Sequence, residues 1–92
     1  MGLEPFEVED IQGRLRALLV VHAAELPARW VGQVEEFIDV GELGLALTEL
    51  VALLDQERVA LSQETFADIS DLVTRMEVDR SYIDRARALL AT

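Results

Sequence analysis

The sequence predicts an all-α protein, a compact bundle of four to five short helices in a single domain. Three observations carry that expectation. Apolar residues recur at three- and four-residue spacing along most of the 92 residues, the period of one helix face. No stretch alternates apolar and polar residues for long enough to make a strand. The breaks between periodic segments hold residues that start or stop helices, among them Pro27, Gly41, Ser62 and Asp79.

Val8, Ile11, Leu15, Leu18 and His22 share a face and place a first helix at about 6–24. Asp10 and Arg14 are spaced to pair at i,i+4 on its outer side. Gly13, inside it, costs roughly 1 kcal/mol relative to alanine. A second helix at about 27–40 accepts Pro27 in its first turn, where a missing N–H is harmless. Trp30, Val34, Phe37 and Ile38 line its inward face.

The third helix, about 42–58, is the most apolar. Leu43, Leu47, Leu50 and Leu54 form a stripe, and Ala46, Val51 and Leu53 widen it beyond one face. A helix apolar over most of its circumference belongs at the centre of a domain. Glu42 in its first turn complements the helix dipole.

Ser62 is a good N-cap for a fourth helix at about 62–77. That helix turns Phe66, Ile69, Val73 and Met76 inward, while Glu64, Asp68, Asp71 and Arg75 read as a solvated outer face. Asp79 caps a fifth at about 79–91, with Tyr82, Ile83, Ala86 and Leu90 facing the core.

Charge is the other dominant feature. The chain carries −10 overall. Between Val31 and Asp71 there are ten acidic residues and a single basic one, Arg58, a net −9. Glu35, Glu36, Asp39 and Glu42 crowd the turn before the apolar third helix, and Asp55 and Glu57 crowd its far end. Such a concentration repels itself, so it is either a solubility device or a surface shaped for a basic partner. Nucleic acid is excluded as a direct partner, because that affinity comes largely from cations that neutralise phosphates. No segment approaches the roughly 18–20 apolar residues of a membrane span, and the acidic N-terminus does not resemble a secretion signal. A cytoplasmic location is expected. All eight basic residues are arginine, and there is no cysteine, so disulfides and thiolate metal sites are absent.

Catalytic and cofactor chemistry finds no foothold. His22 continues an apolar face and reads as a core or boundary residue, and one histidine is weak support for zinc. A calcium loop beginning at Asp39 fails, because Gly41, Leu43 and Leu50 stand where oxygen ligands are required. An acyl-carrier reading fails too, since neither Ser62 nor Ser70 has the Asp-Ser-Leu setting. Glu35 and Glu36 are adjacent, so they do not face each other on a helix. The chain is expected to be neither an enzyme nor a cofactor carrier.

One resemblance covers about Trp30 to Ile83. The run Gly41-Glu42-x-Gly44-x-Ala46-x-x-x-Leu50, a second leucine at Leu54, an acidic turn, and then Met76-x-Val78-Asp79-x-Ser81-Tyr82 resemble the MafI-type immunity proteins of polymorphic toxin systems. The chain departs from that pattern at Ile83, where an aromatic is common, near Asp55 and Gln56, and at Thr48. The resemblance implies a cytoplasmic antitoxin that binds the C-terminal domain of a cognate secreted toxin, often a basic nuclease, and neutralises it as a monomer in a 1:1 complex. The expected partner-binding residues are Glu35, Glu36, Asp39, Glu42, Asp55, Glu57 and Tyr82. Trp30 is a second aromatic candidate, although its spacing with Val34 and Phe37 assigns it to the core. The competing expectations are a helical adaptor or regulatory subunit on another basic protein, and a self-associating structural bundle.

Overall fold

The most apolar segment of the chain becomes its central helix. The computed structural model describes residues 3–91. It has five α-helices: α1 (Pro5–His22), α2 (Ala28–Asp39), α3 (Leu43–Gln56), α4 (Gln63–Arg75) and α5 (Ser81–Arg87). A single 3₁₀ turn, Ala23–Glu25, extends α1. α3 touches each of the other four. It buries Leu43, Ala46, Leu47, Leu50, Val51, Leu53 and Leu54, as a helix apolar over most of its circumference must. Around it close Ile11, Leu15, Leu18 and Leu19 of α1, Val34 and Ile38 of α2, Ile69, Leu72 and Val73 of α4, and Ile83 and Ala86 of α5. The all-α expectation holds among the described residues.

Helix ends show how local chemistry sets boundaries. α1 starts at Pro5, and the Glu4 N–H donates to Glu7 Oε1 at 3.4 Å. The Ser62 hydroxyl accepts the Thr65 N–H at 3.1 Å, as its N-cap role requires. α2, α3 and α4 all end in the same motif, in which the sixth residue's N–H returns to the first carbonyl and the fifth's to the second. The bonds are Glu42 to Phe37 and Gly41 to Ile38, Val59 to Leu54 and Arg58 to Asp55, and Val78 to Val73 and Glu77 to Thr74. The motif needs a left-handed residue. Gly41 supplies it freely at φ +80°, whereas Arg58 and Glu77 adopt it at φ 51° and 53°, which strains a residue with a Cβ.

Three sequence expectations are corrected. The fifth helix stops at Arg87 rather than near residue 91, because the backbone of buried Leu61 takes the end of the chain. Its N–H donates to the Leu89 carbonyl and its carbonyl accepts from Ala91, both at 2.8 Å. A buried peptide group must find a partner, and a longer helix would have withheld these. The start also shifts: Asp79 accepts the Ser81 N–H at 2.8 Å, two residues ahead of the helix proper.

Next, the i,i+4 pair of Asp10 and Arg14 does not form. Arg14 reaches across to α4, bonding Asp71 at 2.7 Å and Asp68 at 2.9 Å, and Arg75 of α4 reaches back to Asp10 at 2.8 Å. One in-helix pair stabilises by only about 0.2–0.5 kcal/mol, and a guanidinium prefers two acceptors in its fork geometry. The hydrogen bond that Arg14 donates to Asp71 leads the factors that raise its pKa, as the bond donated to Asp10 does for Arg75, so both stay charged. Thirdly, the outer face of α4 is solvent-exposed at Glu64, Asp68 and Asp71 as expected, but it is also ion-paired to α1 through Arg14 and Arg75.

Two outcomes test this description. Glu77→Gly should raise unfolding free energy by about 0.5–1 kcal/mol in urea denaturation, since glycine relieves the left-handed strain and Glu77 has no side-chain hydrogen bond to lose among the described residues; a loss of stability would contradict the strain. The Asp79 carboxyl is held below its ordinary value of 3.8 by the Ser81 N–H and then by its hydroxyl. A depressed pKa stabilises the fold above the unfolded value, and the benefit is lost as pH falls through the folded value. The urea-midpoint gap between the native chain and Asp79→Ala should therefore be constant well above pH 3.8 and shrink below it.

Candidate functional site

α3 is 14 residues long, about 21 Å at the helical rise, so the acids at its two ends are set well apart. The structure divides the sequence-predicted set among three places.

At the far end of α3, Asp55 is already compensated. It accepts from Arg58 at 2.9 Å and from Arg85 of α5 at 3.2 and 3.1 Å. The Arg85 guanidinium also lies 5.4 Å from the centroid of the Tyr82 ring, within cation–π range. Tyr82 is half-buried against the core. Asp55, Arg85 and Tyr82 therefore form a clasp between α3 and α5, and Asp55 acts within the fold. Glu57 beside it is exposed and has no ion pair among the described residues.

Glu42 stands at the start of α3, on the edge of a shallow hollow with Leu3, Val8, Arg75, Met76 and Glu77. Its charge suits a helix N-terminus. Glu35, Glu36 and Asp39 lie on α2 instead, and that helix is unusual. α1, α4 and α5 each carry acid in the first turn and a basic residue in the last, the arrangement the helix dipole favours. α2 reverses it. Arg29 stands in its first turn, Glu36 and Asp39 occupy its last, Glu35 adjoins them, and no basic residue offsets them from within the helix. Asp39 is relieved from outside by Arg16 of α1 at 2.9 Å. Glu35 and Glu36 are exposed and have no ion-pair partner among the described residues.

Glu35 and Asp39 also form one rim of a groove between α1 and α2, about 180 Å³ in volume. Leu19, Val20, Ala23 and Val31 line it, and Arg16 stands on the opposite rim. Periodicity alone pointed away from these apolar residues, yet a signal was present. Leu18-Leu19-Val20-Val21 is four apolar residues in a row, more than one face of a helix can bury. Leu18 and Leu19 go inward, while Val20 and Val21 are left 76% and 67% exposed.

Trp30 is a correction. It is exposed rather than core, with the Arg29 guanidinium 4.7 Å from its ring centroid. Val34 and Ile38 are the buried residues of α2, and Trp30, one turn earlier at the start of the helix, is 37% exposed. His22 is buried as expected, its Nδ1 lying 3.1 Å from Glu25 Oε1. Among the described residues no group of three or more His, Cys, Asp or Glu could hold a metal ion, and no helix is long and apolar enough to cross a membrane. Compared with protein families, with curated proteins and with solved structures, the chain finds no match.

The division of the acids into compensated and uncompensated groups has a direct check. Asp55→Ala should cost about 1 kcal/mol in urea unfolding, through two charge-assisted contacts in a partly exposed setting. Glu57→Ala should change stability by less than about 0.5 kcal/mol. Equal losses would mean that the clasp contributes nothing.

Proposed function

We propose that this chain is an immunity protein that binds and neutralises a cognate secreted toxin domain, and that the toxin presents a basic surface. The observation that carries the proposal is the reversed charge order of α2, together with Glu57 at the C-terminal end of α3. Carboxylates at the negative end of a helix dipole each cost about 0.3–1 kcal/mol when exposed, and mutual repulsion adds to this. A basic partner relieves both terms on binding.

The arginines reinforce the reading. Arg14, Arg16, Arg58, Arg75, Arg85 and Arg87 are each tied to an acid of the same chain. Little positive charge remains outward, so a protein with clustered Lys and Arg fits this surface and a phosphate backbone does not. The sequence resemblance to MafI-type immunity proteins supplies the class of partner. Gly41 provides the left-handed turn into α3, and a Cβ at Gly44 would lie 3.9 Å from Val78 Cγ2. The two halves of the resemblance motif thus adjoin in the fold, as parts of one structural signature would.

In this mechanism the acidic surface docks on the toxin's substrate groove or beside it, presenting carboxylates where substrate phosphates would lie. Complementary charge speeds encounter and guards against wrong partners. Inhibition is stoichiometric, 1:1, and takes place in the cytoplasm of the producing cell.

The test is co-expression with the C-terminal toxin domain encoded beside this chain's gene. The native chain should restore growth and co-purify with that domain. Reversing Glu35, Glu36 and Glu57 to Arg should weaken the complex by tenfold or more and reduce rescue, with a similar weakening of the native pair at high salt. A complex indifferent to salt and to these reversals would overturn the electrostatic mechanism. Failure of the native chain to rescue, combined with tight binding to an unrelated basic protein, would favour the adaptor reading.

A further inference from the structure

We infer that the groove between α1 and α2 receives an apolar side chain from an amphipathic, arginine- or lysine-bearing helix of the partner. The inference rests on the reading that the partner is basic, and it adds a specific anchor to what would otherwise be diffuse charge attraction.

The floor and rim of the groove have different chemistry. Leu19 and Val31 give it an apolar base, and Val20 stands at its edge 76% exposed. At about 180 Å³ it is smaller than the roughly 300–1,000 Å³ of small-molecule sites. A single side chain delivered by a protein suits it better than a metabolite does.

The rim specifies the occupant. Glu35 and Asp39 stand four residues apart on α2, one turn along its surface, a separation of about 5–6 Å between neighbours on a helix face. Basic residues spaced i,i+4 on a partner helix would meet both. Glu35 is free to take the first, while Asp39 holds Arg16 at 2.9 Å and can exchange that exposed pair for an incoming cation at little cost. An apolar residue between the two cations would then lie over Val20 and Val31. A second copy of this chain is the poorer occupant, since it would bring a net −10 to an acidic rim.

The probe is a roughly 18-residue amphipathic helical peptide, long enough to hold helix in isolation, with leucines on one face flanked by arginines at i,i+4. A control peptide replaces the leucines by serine. Amide chemical shifts of the full chain are followed at low salt. The leucine peptide should perturb Leu19, Val20, Ala23, Val31 and Glu35 together, and Val20→Glu should weaken its binding at least tenfold. Val20 is exposed, so that variant should keep the native spectrum elsewhere; Glu35→Gln serves as a second variant with an effect of the same sign. The serine peptide should bind more weakly and be indifferent to Val20→Glu.

Equal binding of both peptides, unaffected by Val20→Glu, would overturn the groove and leave the basic-partner reading standing. No binding of either peptide at low salt would overturn both. Concentration-dependent shifts at Val20 without peptide would show a self-interface, which also overturns the proposal.

Discussion

Everything in this molecule follows from the need to surround α3. A helix apolar over most of its circumference cannot lie on a surface, so α1, α2, α4 and α5 must each contribute a face to it. Leu47, Leu50 and Val51 are wholly buried as a result. One strip of α3 still reaches solvent, through Leu45, Thr48, Glu49 and Ala52. The polar and charged residues that the segment could not bury lie on that strip or at the two ends, Glu42 at one and Asp55 and Glu57 at the other. The acidic frame seen in the sequence is in part a geometric consequence of a central helix.

What is not a geometric consequence is how those charges are treated. Asp55 is clasped by Arg58 and Arg85, Asp39 by Arg16, and Asp68 and Asp71 by Arg14. Arginine serves as an internal cross-link throughout, most clearly between α1 and α4. Glu35, Glu36 and Glu57 receive no such help, and they occupy helix ends where the dipole disfavours them. The fold offsets negative charge where helices meet and leaves other carboxylates outward and unpaired among the described residues, Glu35 and Glu36 on α2, Glu57 after α3 and Glu64 on α4 among them.

The legible parts of the fold were those set by local pattern. Helix number and order, the central role of α3, the Ser62 cap and the burial of His22 all follow from spacing and from single capping residues. The parts that escaped were set by distant contacts. Arg14 chose acids on α4 over its in-helix neighbour, and Leu61 drew the C-terminal backbone out of helix. Trp30 shows a different limit: it shares i,i+4 and i,i+7 spacing with Val34 and Phe37, but Val34 and Ile38 set the buried side of α2 and leave Trp30 on the boundary. Of the candidate site, the charge was visible in sequence, whereas its division into compensated and uncompensated groups required knowing where each arginine reaches. The apolar groove was written only as an apolar run in α1, Leu18 to Val21, too long for one face to bury.

The central claim is that the uncompensated carboxylates are kept at a cost to the fold because a partner needs them. The most direct measurement is the low-salt urea unfolding free energy of the triple variant Glu35→Gln, Glu36→Gln, Glu57→Gln. The account predicts a chain more stable than the native one by about 1 kcal/mol or more, with the gain shrinking as salt screens the repulsion. A triple variant less stable than the native chain at low salt would mean that these acids serve the fold itself, and would contradict the account.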